Sequence, residues 1–194
     1  MRILAAAWLL ALPGAALYAA EFRSLELVRD GDDYRVLADV FIDAPGEGVF
    51  EILTDYEGFP RLSSVFREGR VVEPIEDGRG VVYLHMKGCV LFFCREVEIV
   101  EFLEVEPYRR IVAIVDPERS DLHYGRASWS LTPEDGGTLV TYELDMRPQF
   151  WIPPVIGPLI IKAALRYRGI RAARRLEALA SGQPVPEDIA VKST

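Results

Sequence analysis

The sequence predicts an α+β protein in which an antiparallel sheet is covered by one long helix near the C-terminal end. Six strand-like runs follow one another between residues 65 and 146, with turn residues such as 134–137 between them. After a proline-rich link, apolar residues recur at three- and four-residue steps over 159–180, a spacing typical of one helical stripe. Short connections between the runs favour hairpins, and therefore an antiparallel sheet.

Length and composition fit one folded domain. The chain has 194 residues, of which 50% are hydrophobic and 27% charged, so a disordered or collagen-like chain is excluded. The net charge of -8 argues against nucleic acid as a partner. Two cysteines and two histidines do not have the spacing of a zinc framework, so we expect no metal. Because the sequence has no dinucleotide fingerprint or phosphate loop, we expect no cofactor.

The first twenty residues have the layout of a secretory signal. A basic start at Arg2 is followed by about ten apolar residues, too short a run to span a hydrocarbon layer of roughly 30 Å, and by a small-residue end. We therefore expect residues 1–20 to direct export to the periplasm or envelope, 21–180 to form the domain and 181–194 to be a flexible tail. Leu17 and Tyr18 fit a cleavage site poorly, so a retained membrane anchor is the alternative.

The elements before residue 65 are a hairpin and one or two short helices. The runs 25–28 and 34–43 flank a turn rich in Asp and Gly, which is typical of a hairpin. Pro45 suits the first turn of an amphipathic helix that ends near Asp55, and a second short turn is expected at Pro60. The later strands are predicted at 65–72, 80–88, 95–105, 109–115, 122–131 and 138–146.

Three motifs give this chain a recognisable pattern. They are Ala44-Pro45-x-x-x-Val49-Phe50-x-x-Leu53-Thr54-Asp55-Tyr56-x-x-Phe59-Pro60, Gly125-x-x-x-Trp129-x-Leu131-x-Pro133 and Gly137-Thr138-x-Val140-x-Tyr142. Over residues 34–179 the chain resembles the polyketide cyclase/START superfamily (SRPBCC), nearest to its coenzyme Q-binding bacterial members. The resemblance implies the helix-grip fold, a curved antiparallel sheet of about seven strands wrapped around a long C-terminal helix. It also implies an elongated apolar cavity for lipids, quinones, sterols or polyketides.

The alternation of side chains along each strand assigns an inward face. Charged residues such as Glu96 and Glu98 should face water, which turns Val97 and Ile99 inward. The predicted ligand-binding residues are Tyr56, Phe59, Val82, Leu84, Met86, Val97, Ile99, His123, Trp129, Tyr142, Leu144 and Leu165. His123 and Tyr142 would supply polar tips that orient an apolar ligand. The alternative is an ordinary core, in which these side chains fill the interior and leave no cavity.

Cys89 and Cys94 bracket four apolar residues between two strands. If the two cysteines lie opposite each other, Lys87 meets Glu96 on the outer face while apolar side chains meet on the inner face. In an exported protein this register favours a disulfide, and two reduced buried thiols are the alternative.

The hairpin tip and the last helix together suggest a contact with a membrane. The helix carries Lys162, Arg166, Arg168, Arg171, Arg174 and Arg175 without an acidic residue among them. The predicted membrane-contact residues are Phe92, Phe93, Trp151, Lys162 and Arg166, which combine apolar and basic side chains. The alternatives are a solvated basic helix face and a tip packed against its own domain.

The expected function is that of an exported carrier for a lipid, a quinone or a similar hydrophobic molecule. The sequence lacks a nucleophile elbow and the HExxH motif, so binding is favoured over catalysis. The alternative is a cyclase- or dehydratase-like enzyme, with His123 as the base and Tyr142 as the oxyanion donor. A third hypothesis is a protein-interaction module whose interior is filled by its own side chains.

Overall fold

Eight strands and four helical segments make up the protein in the computed structural model, which describes residues 20–90, 93–152 and 157–186. The strands are β1 (Glu21–Asp30), β2 (Asp33–Ile42), β3 (Phe66–Glu76), β4 (Arg79–Val90), β5 (Phe93–Glu106), β6 (Arg110–Val115), β7 (Leu122–Glu134) and β8 (Gly137–Pro148). They form one curved antiparallel sheet in the order β1-β2-β8-β7-β6-β5-β4-β3. The predicted helix-grip architecture is thereby confirmed, with eight strands where about seven were expected.

The helices are α1 (Gly46–Thr54), a 3₁₀ turn (Tyr56–Gly58), α2 (Phe59–Leu62) and α3 (Gly157–Ala180). Pro45 directly precedes α1, where its fixed φ of -59° suits the entry into a helix. Asp55 ends α1 and begins the 3₁₀ turn, because its Oδ1 accepts a hydrogen bond from the Gly58 N–H at 3.1 Å. The short helices predicted after the first long strand are therefore present.

The hairpin between β4 and β5 has the predicted register. Lys87 lies opposite Glu96, Cys89 lies opposite Cys94, and the Lys87 ammonium pairs with the Glu96 carboxylate on the outer face. A disulfide joins Cys89 to Cys94, as the sequence predicted. The predictions for residues 1–19, for Phe92 and for residues 187–194 lie outside the described residues, as does the side chain of Phe93.

Buried apolar side chains form two clusters on the inner face of the sheet. The main cluster joins the sheet to the short helices and to the C-terminal half of α3, with members such as Val49, Leu103 and Leu176. The tip cluster consists of Ile99, Val115 and Leu122, with Met86, Val97 and Met146 packed against it. Its members Met86, Val97 and Ile99 lie on the part of β4 and β5 that leads to the disulfide, and the others come from β6, β7 and β8.

The two halves of α3 are held differently. In the C-terminal half, Leu176 and Ala178 are buried, and Glu177 Oε2 accepts a hydrogen bond from the Asp43 N–H at 2.9 Å. Between residues 159 and 168, by contrast, no side chain that the structure describes is fully buried. Arg168 links this half to the sheet, because its Nη2 donates to the Cys89 carbonyl at 3.1 Å. The helix is therefore firmly packed at one end and more open at the other.

Candidate functional site

The inner face of the sheet brings most of the predicted ligand-binding residues together. Tyr56, Phe59, Val82, Leu84 and Ile99 are buried, and Met86, Val97, Trp129, Tyr142 and Leu144 are partly buried against the two clusters. The Trp129 and Tyr142 rings contact each other with centroids 5.2 Å apart, and the Tyr56 ring stacks on Phe59 at 4.6 Å. Leu165 is partly buried on α3. Apart from Leu165, these side chains belong to the two clusters of the inner face.

His123 does not belong to this region, and the expectation that it faces inward is wrong. Its side chain is exposed. The pairing of β7 with β8 is irregular between Leu122 and Tyr124, so the simple alternation is interrupted there. Leu122 takes the inward position instead and joins the tip cluster. His123 therefore has neither the burial nor the neighbours that a ligand-orienting or catalytic group in the interior would need.

The inner face remains incompletely covered beneath the N-terminal half of α3. Met86, Val97 and Leu144 retain partial exposure although they pack against the two clusters of the inner face. Across from the sheet, the described side chains of α3 before residue 169 are partly or fully exposed as well. Side chains that met each other across a filled core would be shielded from water. The described residues of the two sides therefore do not shield each other completely from water.

Two open hollows lie elsewhere on the surface. One has a volume of about 530 Å³ at the ends of β1, β2, β7 and β8, where Tyr34 and Met146 meet charged residues such as Asp33 and Arg147. The other, of about 450 Å³, lies beside β3, β4 and β5 and is lined by Pro74 and Phe102 among others. Both linings include several charged side chains. Neither hollow is the predicted apolar cavity.

Glu101 is a buried acid in the middle of β5 that the sequence analysis did not identify. Its side chain is only 7% exposed. It lies opposite Val82 on β4 and opposite Val115 on β6, which belong to the main and tip clusters respectively. Direct partners across antiparallel strands share a face, so Glu101 projects inward between the two clusters. The same alternation that placed Val97 and Ile99 inward would have found it.

Two tyrosines share the surroundings of this acid, and we call Glu101, Tyr56 and Tyr142 the Glu101 cluster. Burial raises the pKa of Glu101 to about 7. Burial also raises the pKa values of Tyr56 and Tyr142, and the negative charge of Glu101 raises both further. The Tyr56 hydroxyl is buried and has no hydrogen-bond partner within the described ranges. Near neutral pH the cluster therefore offers two hydroxyl donors and a carboxyl that can donate or accept.

The first half of α3, together with Trp151 before it in the sequence, combines exposed apolar and basic side chains. Trp151 is 73% exposed, Leu159 is 72% exposed and Tyr167 is 56% exposed. The predicted contact residues Lys162 and Arg166 are exposed on the same helical half. None of the helices that the structure describes is both long and apolar enough to cross a membrane. Within those residues there is also no cluster of three or more metal-ligating side chains.

Comparisons with known proteins agree with this architecture. Residues 34–181 match the family model described as polyketide cyclase/dehydrase and lipid transport. A comparison with curated proteins finds no match.

Solved structures with this fold include members with different described functions. An aromatase/cyclase from Streptomyces sp. R1128 is 17% identical, with 77% of this chain and 93% of that chain covered and a TM-score of 0.58. A START superfamily protein from Mycobacterium smegmatis is 19% identical, with 76% and 97% covered and a TM-score of 0.58. A STAR-related lipid transfer protein from Xanthomonas axonopodis is 16% identical, with 77% and 96% covered and a TM-score of 0.56. At these identities the likeness shows a shared fold.

Proposed function

Because the chain belongs to the family of polyketide cyclases, dehydrases and lipid transport proteins, we propose that it binds and carries a hydrophobic molecule such as a lipid or a quinone. The ligand would lie between the inner face of the sheet and the N-terminal half of α3. The observation that carries this proposal is the partial exposure of inward side chains such as Val97 and Leu144. We further propose that the protein is exported, since a disulfide fits an oxidising compartment.

Apolar burial would supply most of the affinity. Each CH₂ group that leaves water contributes about 0.8 kcal/mol, so a long hydrocarbon chain can offset the entropy lost on association. The aromatic pair Trp129 and Tyr142 adds flat contact surface in the middle of the region.

Mass spectrometry under native conditions tests this proposal. The protein is purified gently, and a bound lipid or quinone is expected as an added mass that organic extraction removes. Val97→Trp should then reduce lipid content severalfold, because Val97 lies on the inner face and the larger ring would occupy the proposed ligand space. Glu104→Trp is the matched control, since Glu104 lies on the same strand and is exposed. Equal loss of lipid in both variants, or no bound lipid in the parent protein, would contradict the proposal.

We also propose that the first half of α3, together with Trp151, contacts anionic membranes when the ligand is exchanged. Trp151 and Leu159 would enter the interface while Lys162 and Arg166 pair with headgroups. Flotation with vesicles of phosphatidylglycerol and phosphatidylcholine measures this contact. Lys162→Glu with Arg166→Glu should weaken binding at least tenfold, since each basic residue near the surface contributes about 1 kcal/mol. Tyr124→Ser, a change at an exposed aromatic residue of β7, should leave binding unchanged.

Cyclisation or dehydration of a polyketide-type substrate is the second candidate function. It is favoured by Glu101, because a general base works best when its pKa lies near the working pH. Tyr56 and Tyr142 would donate hydrogen bonds to a developing oxyanion. Incubation with a polyketide-type substrate and product detection by mass spectrometry tests it, and Glu101→Gln should lower the rate by a factor of about 100 or more.

A further inference from the structure

Glu101 lies in an environment that gives its carboxyl group no partner of opposite charge. The strands on either side present Val82 and Val115, and the titratable groups that face it are Tyr56 from the 3₁₀ turn and Tyr142 from β8. Within the described ranges, no side chain donates a hydrogen bond to its carboxyl group. A buried acid of this kind weakens the empty protein, whereas leucine in its place would extend the apolar clusters.

A ligand that brings its own hydrogen-bonding group would remove this cost. We infer that the Glu101 cluster binds the polar head of an otherwise apolar ligand, and that this head is an uncharged hydroxyl or carbonyl group. The inference rests on the proposed function, because the apolar remainder of the ligand must occupy the space beside α3. It narrows the ligand class from hydrophobic molecules in general to neutral amphiphiles.

The chemistry of the three groups explains this selectivity. A hydroxyl head can donate to the ionised Glu101 carboxylate, and a carbonyl head can accept from the protonated carboxyl or from Tyr56 and Tyr142. An anionic head would be repelled by the ionised carboxylate, with no lysine or arginine among the groups that face it. A pure hydrocarbon would leave the carboxyl and the buried Tyr56 hydroxyl unpaired.

Displacement of the neutral dye Nile red by three probes of equal chain length tests the inference. The probes are decan-1-ol, sodium decanoate and decane, used with the full chain at about pH 8, where most of Glu101 is ionised. Decan-1-ol should bind at least about tenfold more tightly than decanoate or decane. One hydrogen bond to a charged group is enough to raise the affinity by about that factor. Equal displacement by decan-1-ol and decane would overturn the inference and leave the proposed function intact. If none of the probes displaces the dye, the proposed function itself fails.

Variants assign the preference to the cluster. Glu101→Leu should abolish the preference for decan-1-ol while decane binds as well as before or more tightly. Glu101→Gln should still bind decan-1-ol more tightly than decane, because the amide can form hydrogen bonds. It should bind decan-1-ol and decanoate about equally, because the amide carries no charge. Tyr142→Phe should lower the affinity for decan-1-ol severalfold. This variant provides a second measurement if Glu101→Leu fails to fold. Glu104→Leu, at an exposed position of β5, should change nothing. A preference that survives unchanged in Glu101→Leu would overturn the inference.

Discussion

Replacing Glu101 with glutamine should stabilise the empty protein at alkaline pH. The pKa of this carboxyl lies near 4.5 in the unfolded chain and rises to about 7 in the folded protein, because burial disfavours the charged form. Between these two values the folded state holds a proton that the unfolded state has released. The free energy of unfolding therefore falls as the pH rises from about 4.5 to about 7, and it does not change further through this group above that range.

The size of this change in the free energy of unfolding follows from the difference between the two pKa values. They differ by about 2.5 pH units, and each unit corresponds to about 1.36 kcal/mol, so the full effect is about 3 kcal/mol. Most of it, about 2–3 kcal/mol, falls between pH values of about 5 and about 8. Glu101→Gln removes the titration while keeping the shape of the side chain. We expect its advantage over the parent protein to grow by that amount between the two pH values.

Urea unfolding followed by tryptophan fluorescence measures the difference. Both proteins are unfolded at the lower and the higher pH after extraction of any bound lipid, because a ligand on Glu101 would mask the cost of burying this carboxyl group. Glu104→Gln serves as the control, since Glu104 is exposed and its substitution should leave the pH profile of the parent unchanged. If the free energies of unfolding of Glu101→Gln and of the parent protein change equally with pH, the reasoning is refuted, and Glu101 is not a buried acid without a partner.

Three further predictions concern the fold and are measured by urea unfolding under the same conditions. Replacing Cys89 and Cys94 with serine should cost about 2 kcal/mol, the entropy expected for so short a loop, and reduction of the parent protein should reproduce this loss. Leu176→Ala should cost about 3 kcal/mol, because it opens a cavity in the main cluster. Gly48→Ala should cost about 1–3 kcal/mol, because its Cβ would lie 2.6 Å from the Ala180 carbonyl oxygen and push α1 away from α3.

The alternation of side chains along a strand accounts for both the success and the failure of the sequence analysis. It placed Val97 and Ile99 inward correctly, and the Cys89–Cys94 register followed from matching charges outside with apolar side chains inside. His123 was misplaced because the irregular pairing of β7 leaves no clear signal in the sequence. Glu101 was overlooked for a different reason. A charged residue was assumed to face water, although its position in the alternation placed it inside.

The organisation of the fold was easier to predict than the degree to which its interior is filled. Turn residues and helical periodicity are local signals, so they specify the order of strands and helices directly. Whether inward side chains fill the interior depends on the distance between α3 and the sheet, which no short stretch of sequence encodes. Here the C-terminal end of α3 is held beside the end of β2, because Glu177 Oε2 accepts a hydrogen bond from the Asp43 N–H.

The division of α3 into a packed half and an open half means that its C-terminal half alone completes the core, which is compatible with the proposed ligand beside the other half. Leu176 and Ala178 contribute to the buried interior, so the fold does not need the N-terminal half to close against the sheet. That half can then carry exposed apolar and basic residues at little cost to stability. The hydrogen bond from Arg168 to the Cys89 carbonyl keeps the N-terminal half of α3 beside the disulfide. A ligand that enters there would pass the tip cluster before its leading end meets Glu101, so the polar head would enter first and the hydrocarbon would follow.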